Sequence, residues 1–517
     1  MENDVVLDVA KEDTWFDTLH LKQGLKSHSI KGGISTIAGQ AGSFILNTSS
    51  TIILGRLLLP EDYGLIAMVA SITGFVTIFK DLGLSSAVIQ KEKLTQSEVS
   101  SVFWVNVLIS LSIALVVALL SPLIVSFYKE ARILQITLVS ALDIFIVGLS
   151  LQHNALMKRQ MRFNSLALIQ LGAVGTSLLA GIVSAWLGLG YWALVIQGLV
   201  FSVVQTVALW AICDWRPNFG FKKENVSSFL KFGAGVTGFD VVNHFSRNMD
   251  NVFVGKFVGS VALGLYSKAY QLLMLPIVQL RNPLNSVALP ALSSLQNDAD
   301  KYRNFYARYL FILAFFSMPV VVYLGLFADE VILLVLGKQW VGAGVIFQLL
   351  AIAGFIQPVT STTGLILITT GSVKRYFIIG LVNAICMVSG FGIGVMMGGV
   401  KGVAISQAIV AYGLFFPSLY YSLHKTPVSV GLFLREVSMP LVFSLLSGVA
   451  MLGYVRYVDH LHLQMHPVLY CACGFVVGAV TYVGLMSLFK PTREKFTHIL
   501  DMGSSLFAKS LSKHTKK

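Results

Sequence analysis

Runs of about 20 apolar residues, each long enough to cross a bilayer, recur from one end of the chain to the other. Fourteen can be placed, near 33–55, 64–86, 99–121, 133–153, 165–187, 190–213, 232–254, 261–280, 305–327, 341–366, 376–397, 402–423, 436–455 and 467–489. Inside lipid the backbone must satisfy its own hydrogen bonds, so runs of this length have to be helices. The balance of the 517 residues agrees, with 55% apolar and only 12% charged side chains, where a soluble domain carries about 25% charged residues. The expectation is an all-α polytopic membrane protein of about 14 transmembrane helices, which excludes an ordinary soluble enzyme.

The net charge of +13 would suit nucleic acid if the basic residues shared one soluble face. They lie instead in short turns between spans. With the amino terminus inside, 28 of the 38 Lys and Arg fall on the cytoplasmic side. Arg56, Lys129, Arg132, Lys256, Lys268, Lys338, Lys401 and Arg456 fall on the other, and Lys80 and Arg247 sit within spans. The positive-inside bias therefore places both termini in the cytoplasm, and nucleic acid is not an expected partner. Cys213, Cys386, Cys471 and Cys473 lie in or beside apolar blocks, where packing or lipid contact is the reading, not a disulfide framework or a zinc site.

Residues 1–30 carry six acids before Lys22 and have no cleavable apolar core, so the first span acts as its own insertion signal. Between Thr14 and Ser29, Trp15, Phe16, Leu19, Leu21 and Leu25 suit either a short interfacial helix or a loosely ordered tail.

Sliding the chain against itself reveals a repeat. Lys31-Gly32-Gly33 pairs with Lys231-Phe232-Gly233, Gly55-Arg56 with Gly255-Lys256, and Gly64-Leu65 with Gly264-Leu265, all at one offset of 200 without a gap. Six spans separate the copies, and an even number gives two parallel repeats about an axis along the membrane normal. The implied organisation is a cytoplasmic segment (1–30), an N-lobe of spans one to six (31–213), a linker (214–230), a C-lobe of spans seven to twelve (231–423), two extra C-terminal spans (424–489) and a basic tail (490–517). Two such lobes can rock about a shared site, so a transporter is the leading class. Glycine pairs at Gly255/Gly259, Gly390/Gly394 and Gly398/Gly402 permit close helix approach, with ordinary packing their plainest role. Pro276, Pro283 and Pro290 are expected to kink or break span eight, making it a moving element.

Span seven is the least lipid-like. Asp240, Arg247 and Asp250 together cost roughly 8–10 kcal/mol at mid-span, and its apolar residues return only about 3–6 kcal/mol. Helical spacing puts Asp240, His244, Arg247 and Asn251 on one face, shared with Asn243 and Asp250. That face is expected to line a hydrated cavity. Arg247 then contacts an anionic head group, with Asn243 and Asn251 as further substrate contacts, and Asp240, His244 and Asp250 are sites for coupling to protons or sodium. The competing reading is that Arg247 only neutralises Asp250 one turn away. The N-lobe offers Lys80 and Asp81 near the end of span two and Asp143 in span four. Lys80 and Lys256 count as substrate-binding candidates beside the plainer roles of snorkelling and anchoring, and Asp81 and Asp143 as ion-coupling candidates.

Leu59-Pro-Glu-Asp-Tyr-Gly-Leu65, Asp81-Leu-Gly-Leu-Ser-Ser-Ala-Val-Ile-Gln90, Phe103-Trp-Val-Asn106, Asn248-Met-Asp-Asn251 with Gly255-Lys256, Gly264-Leu-Tyr266 with Ala269-Tyr270, Leu289-Pro-Ala-Leu-Ser293 and Leu336-Gly-Lys-Gln-Trp340 stand in order along the first twelve spans. In these segments the chain resembles the polysaccharide transporters of the multidrug/oligosaccharidyl-lipid/polysaccharide (MOP) flippase superfamily, especially colanic acid exporter-like lipopolysaccharide biosynthesis proteins. The resemblance implies a flippase of undecaprenyl-diphosphate-linked oligosaccharide in a bacterial inner membrane. It also implies a cation-lined cavity, drive from a proton or sodium gradient with no bound cofactor, and other polysaccharide assembly proteins as partners. Of the charged residues, only Arg247, Asp250, Lys256 and Asp81 lie on matching segments. No P-loop pattern is present.

Two alternatives stand beside this reading. A small-molecule exporter of the multidrug branch shares the two-lobed plan, although cations in the cleft would repel a cationic drug. A membrane-embedded glycan polymerase or transferase would need a catalytic loop. Asp298-Ala-Asp300, the one metal-binding-like pair, reads better as a helix cap or solvated loop. His460, His462 and His466 read better as interfacial residues than as a zinc site.

Overall fold

A computed structural model describes residues 15–16, 25–81, 83–91, 93–219, 248–462, 465–490 and 493–494. Every regular element among the described residues is helical. In chain order they are α1 (Leu25–Leu57), α2 (Pro60–Thr77), α3 (Leu84–Gln90), α4 (Gln96–Tyr128), α5 (Ile133–Gly148), α6 (Leu151–Arg159), α7 (Phe163–Trp186) and α8 (Trp192–Ile212). After the helical stretch 248–257, termed α9, come α10 (Ser260–Ser294), α11 (Ala299–Leu326), α12 (Ala328–Val335), α13 (Ala343–Thr360), α14 (Thr362–Thr369), α15 (Val373–Gly413), α16 (Phe415–Leu423), α17 (Val430–His460) and α18 (Pro467–Leu488). Ten stretches among the described residues are long and apolar enough to cross a membrane. Their outer faces show large apolar side chains without protein cover: Leu119, Trp186 and Met397 are about four-fifths exposed, as expected where lipid is the solvent.

One of these helices conceals a reversal. α15 extends over 41 residues, yet Gly398 and Gly399 depart from helical angles inside it. A Cβ on Gly402 would lie 1.9 Å from the Gly394 carbonyl oxygen, whereas residues eight apart in a straight helix are about 12 Å apart. The chain therefore doubles back at Gly398–Gly399, and α15 is two spans joined by a glycine turn. The positive φ of 55° at Gly399 is the conformation that glycine adopts without strain.

Span eight is not broken at its prolines, breakage being one of the two outcomes expected for it. α10 runs unbroken through Pro276, Pro283 and Pro290. Seven-residue spacing puts the three prolines on nearly one face, so each removes a single donor along one side and the other backbone bonds persist. Because the helix does not stop near 280, the loop around Asp298 shrinks to four residues. There Asp298 caps α11, its carboxylate accepting from the Lys301 backbone N–H at 3.1 Å, the helix-capping role read from the sequence.

The chain forms two compact units. The first holds the described residues of Met1–Ser267 with Val335–Trp340 and Ala384–Val403, and the second holds Lys268–Leu334, Val341–Asn383 and the described residues of Ala404–Lys517. In the first unit Trp15 and Phe16 of the amino-terminal segment are buried in an apolar cluster with Leu84, Val88, Val99 and Trp215. The guanidinium of Arg162 lies 4.3 Å from the Trp15 ring centroid. In the second unit α17 and α18 cover α11. Phe311 and Phe315 pack with Phe443, Tyr482 and Met486, and the Tyr482 hydroxyl donates to the Phe315 carbonyl at 3.1 Å. The two extra C-terminal helices are thus part of the unit's core.

Candidate functional site

The repeat seen at an offset of 200 reappears in the first unit as paired contacts. α2 opens at Pro60, held by its own acid: the Asp62 carboxylate accepts from the Leu59 N–H at 2.9 Å. One turn in, a Cβ on Gly64 would fall 1.8 Å from the Ser260 carbonyl oxygen. Reciprocally, a Cβ on Gly264 would fall 1.7 Å from the Pro60 carbonyl oxygen. Residue 64 thus meets residue 260, and its repeat partner 264 meets 60. A two-fold axis generates that reciprocity, and only glycine lets the two backbones come so close.

The ends of the preceding helices are also clasped. The Trp340 indole N–H donates to the Gly55 carbonyl at 2.7 Å, and the Gln339 amide donates to the Gly55 and Arg56 carbonyls at 2.9 and 3.0 Å. These bonds satisfy carbonyls that the end of α1 leaves without helical partners. At the matching end of α9, Gly255 packs against Tyr128. Lys256 donates to the Phe127 carbonyl and holds its ammonium 4.6 Å from the Phe127 ring centroid. Four of the segments that carry the family resemblance, 59–65, 255–256, 264–266 and 336–340, therefore come together at this one constellation.

The intramembrane charges fall into two groups. Lys80, at the end of a short 3-10 turn after α2, lies within electrostatic reach of Asp143 and Asp81. Asp81 accepts from the Ser85 hydroxyl at 2.6 Å and the Ser85 backbone N–H at 3.1 Å, which binds it to the start of α3. Asp143 lines a cavity of about 160 Å³ between α2, α5 and α8, together with Thr73, Ser140, Val139, Leu194 and Gly198. At about 30 Å³ per water, that space holds a few waters or one hydrated ion. It is well below the 300–1,000 Å³ of ordinary ligand pockets, so this cavity suits an ion and not a glycan.

The second group lies at α9. Asp250 is buried, at 6% exposure. Its carboxylate accepts from the Tyr266 hydroxyl and from the Asn251 backbone N–H, both at 2.8 Å. The structure thus unites Lys80, Asp81 and Asp143 in one group, and Asp250 and Asn251 in another. Lys256 is taken up by Phe127 at the helix end. Asp240, Asn243, His244 and Arg247 lie outside the described residues.

Lys268 departs from its expected place. The sequence counts it as an outer-side charge, but it sits two turns inside α10, 8% exposed, donating to the Gln271 side-chain oxygen at 2.8 Å. A buried intramembrane lysine is a functional candidate by default. The signal is available in the sequence, since Lys268 falls within the 261–280 run and not in a turn.

A family model described as polysaccharide biosynthesis protein matches residues 53–345. Among curated proteins, the teichuronic acid biosynthesis protein TuaB of Bacillus subtilis is 23% identical over 418 residues, covering 80% of this chain and 86% of that one. The lipopolysaccharide biosynthesis protein WzxC of Escherichia coli is 25% identical, over 69% and 73%. The succinoglycan biosynthesis transport protein ExoT of Rhizobium meliloti is 24% identical, over 90% and 94%. Among solved structures, the lipid II flippase MurJ in an inward closed conformation superposes with a TM-score of 0.70 at 16% identity, over 89% of this chain and 98% of that one. An inward-facing multidrug transporter of the MOP superfamily superposes with a TM-score of 0.52 at 16% identity, over 74% and 94%. The likeness to these two structures establishes the fold.

Proposed function

Because the chain belongs to the polysaccharide biosynthesis protein family, whose pattern spans residues 53–345, we propose that it flips a lipid-linked oligosaccharide across a bacterial inner membrane for surface polysaccharide assembly. The observation that carries this reading is the reciprocal contact of Gly64 with Ser260 and Gly264 with Pro60. A pair of repeats held at one end by closely packed backbone can rock about that contact, as an alternating-access cycle requires. Relatives named for teichuronic acid, lipopolysaccharide and succinoglycan biosynthesis support a glycan cargo, and the fold shared with a lipid II flippase supports a lipid-linked one.

In this reading both termini face the cytoplasm and the carrier lipid is undecaprenyl diphosphate. Arg247, with Asn243 and Asn251, meets the diphosphate, while Lys80 and Lys256 add positive field. Asp143 in its small cavity and the buried Asp250 are the groups through which a proton or sodium gradient acts, with Asp81, Asp240 and His244 beside them. Other glycan assembly proteins take the product on the far side.

The test is the intermediate that accumulates in a deletion strain. Complete repeat units on their lipid carrier, facing the cytoplasm, are the expected result. Single repeats already outside would show a polymerase instead, and unfinished sugars a transferase. At the site itself, replacing Arg247 and Asp250 together with alanine is expected to abolish flipping in proteoliposomes. Retained flipping would reduce the two residues to a structural ion pair.

A further inference from the structure

Span four is interrupted. α5 ends at Gly148, Leu149 and Ser150 form a turn, and α6 starts at Leu151. Beside this break lie Asn106, Ser110, Gln152 and His153, each 0% exposed. Both side-chain polar atoms of Asn106, Gln152 and His153, and the Ser110 hydroxyl, have no hydrogen-bond partner among the described residues. The Trp215 backbone comes near His153 but not in hydrogen-bonding geometry. Two contacts bring the four residues together. A Cβ on Gly148 would sit 2.3 Å from Ser110 Oγ, and the rings of Phe103 and His153 lie 6.1 Å apart. Asn106 lies between Phe103 and Ser110 on one face of α4, its backbone carbonyl oxygen 3.9 Å from the same Gly148 Cβ position, and Gln152 is next to His153 on α6.

Seven orphaned polar atoms in one buried place would cost as much as the stability of a whole domain, so the cluster must hold something. Its chemistry selects the occupant. Asn106 and Gln152 each present two N–H donors beside one oxygen acceptor, Ser110 does both, and a neutral imidazole donates at one nitrogen and accepts at the other. A cation would satisfy only the oxygens, no carboxylate stands among the four, and the positive Arg216 guanidinium already acts on His153. Water alone meets both kinds of need.

We propose that Asn106, Ser110, Gln152 and His153 hold a resident water cluster at the break of span four, and that this cluster is a hinge. The α5 half carries Asp143, which lines the cavity. The α6 half carries Arg159, which donates to the Val88 and Ile89 carbonyls at the end of α3 at 3.1 and 3.2 Å. Water that exchanges partners lets the two halves bend against each other, whereas an apolar filling would lock them.

The decisive measurement is a structure of the full chain in lipid at a resolution that shows bound water. Density bridging Asn106 and Gln152 at about 2.7–3.2 Å is expected. A direct amide–amide bond with nothing between overturns the proposal. So does a rise in melting temperature with sodium but not with choline that the N106L/Q152L variant loses, which would mean a cation site at these residues. Hydroxyl radicals generated by X-rays in bound water provide a second readout. His153 is expected to be labelled although it is buried, and the N106L/Q152L double variant to lose about fivefold or more of that labelling. Unlabelled His153 in the wild type refutes the cluster. The hinge role rests on the transport reading: in the same variant, still folded, flipping is expected to slow about tenfold. An unchanged rate refutes the hinge while leaving the water cluster standing.

Discussion

At the scale of single residues, the chain places charges where lipid would reject them and gives some of them local partners. Asp250 is the clearest case, a buried carboxylate held by Tyr266 and its neighbour's N–H. Tyr266→Phe removes the donor and is expected to cost about 1.5–3 kcal/mol, read as a lower melting temperature in detergent. Asp250→Asn keeps a group that Tyr266 can bond. A loss of transport at unchanged melting temperature would mark Asp250 as a coupling group and not a structural one. In the turn after α4, Arg132 bonds both Glu130 and Glu61, and its hydrogen bond to Glu130 holds that carboxyl below the usual carboxylate range. The sign comes from linkage: a depressed folded pKa gives stability that is present above the unfolded value of about 4.3 and lost as pH falls through the folded value. Because Arg132, the partner of Glu130, is more than a third exposed, screening reduces the effect to about 0.5 kcal/mol. Arg132→Gln should erase that acid-side loss, as a pH series of melting curves will show.

At the scale of elements, the glycines that matter are the ones where backbones touch. Gly64→Ala and Gly264→Ala each put a methyl group into a carbonyl that cannot move aside. Each is expected to cost more than about 2 kcal/mol, and the repeat predicts similar losses for the two. Gly172, with nothing within 4 Å of its Cβ position, is the control, and Gly172→Ala should be neutral or stabilising by up to about 1 kcal/mol. Unequal penalties at 64 and 264 would undermine the reciprocal contact. The same elements show where the sequence was legible. Apolar periods located the helices, because burial in lipid is a property of each run by itself. The continuation of α10 through three prolines was not legible, because whether a helix survives a lost hydrogen bond depends on its remaining bonds and on the neighbours packed against it.

At the scale of the molecule, α17 and α18 bear on what counts as the working unit. They read as an appendage, yet Gly474 packs onto the Phe327 ring and Gly448 onto Val322, and Tyr323 donates to the Cys471 carbonyl at 3.2 Å. A chain ending before Val430 would bare Phe311, Phe315 and Phe327. It is expected to aggregate on extraction, whereas a chain folded and active without α17 and α18 would show them to be dispensable. The sequence by itself determined that this is an all-helical membrane protein built on a repeat of 200 residues, because hydropathy and self-similarity are carried along the chain and need no partner. It did not determine that Lys80 lies within electrostatic reach of Asp143, that Tyr266 bonds Asp250, or that Ser110 lies against Gly148. Those pairs join different helices, and only the packing that brings helix faces together decides which polar group is left to satisfy which.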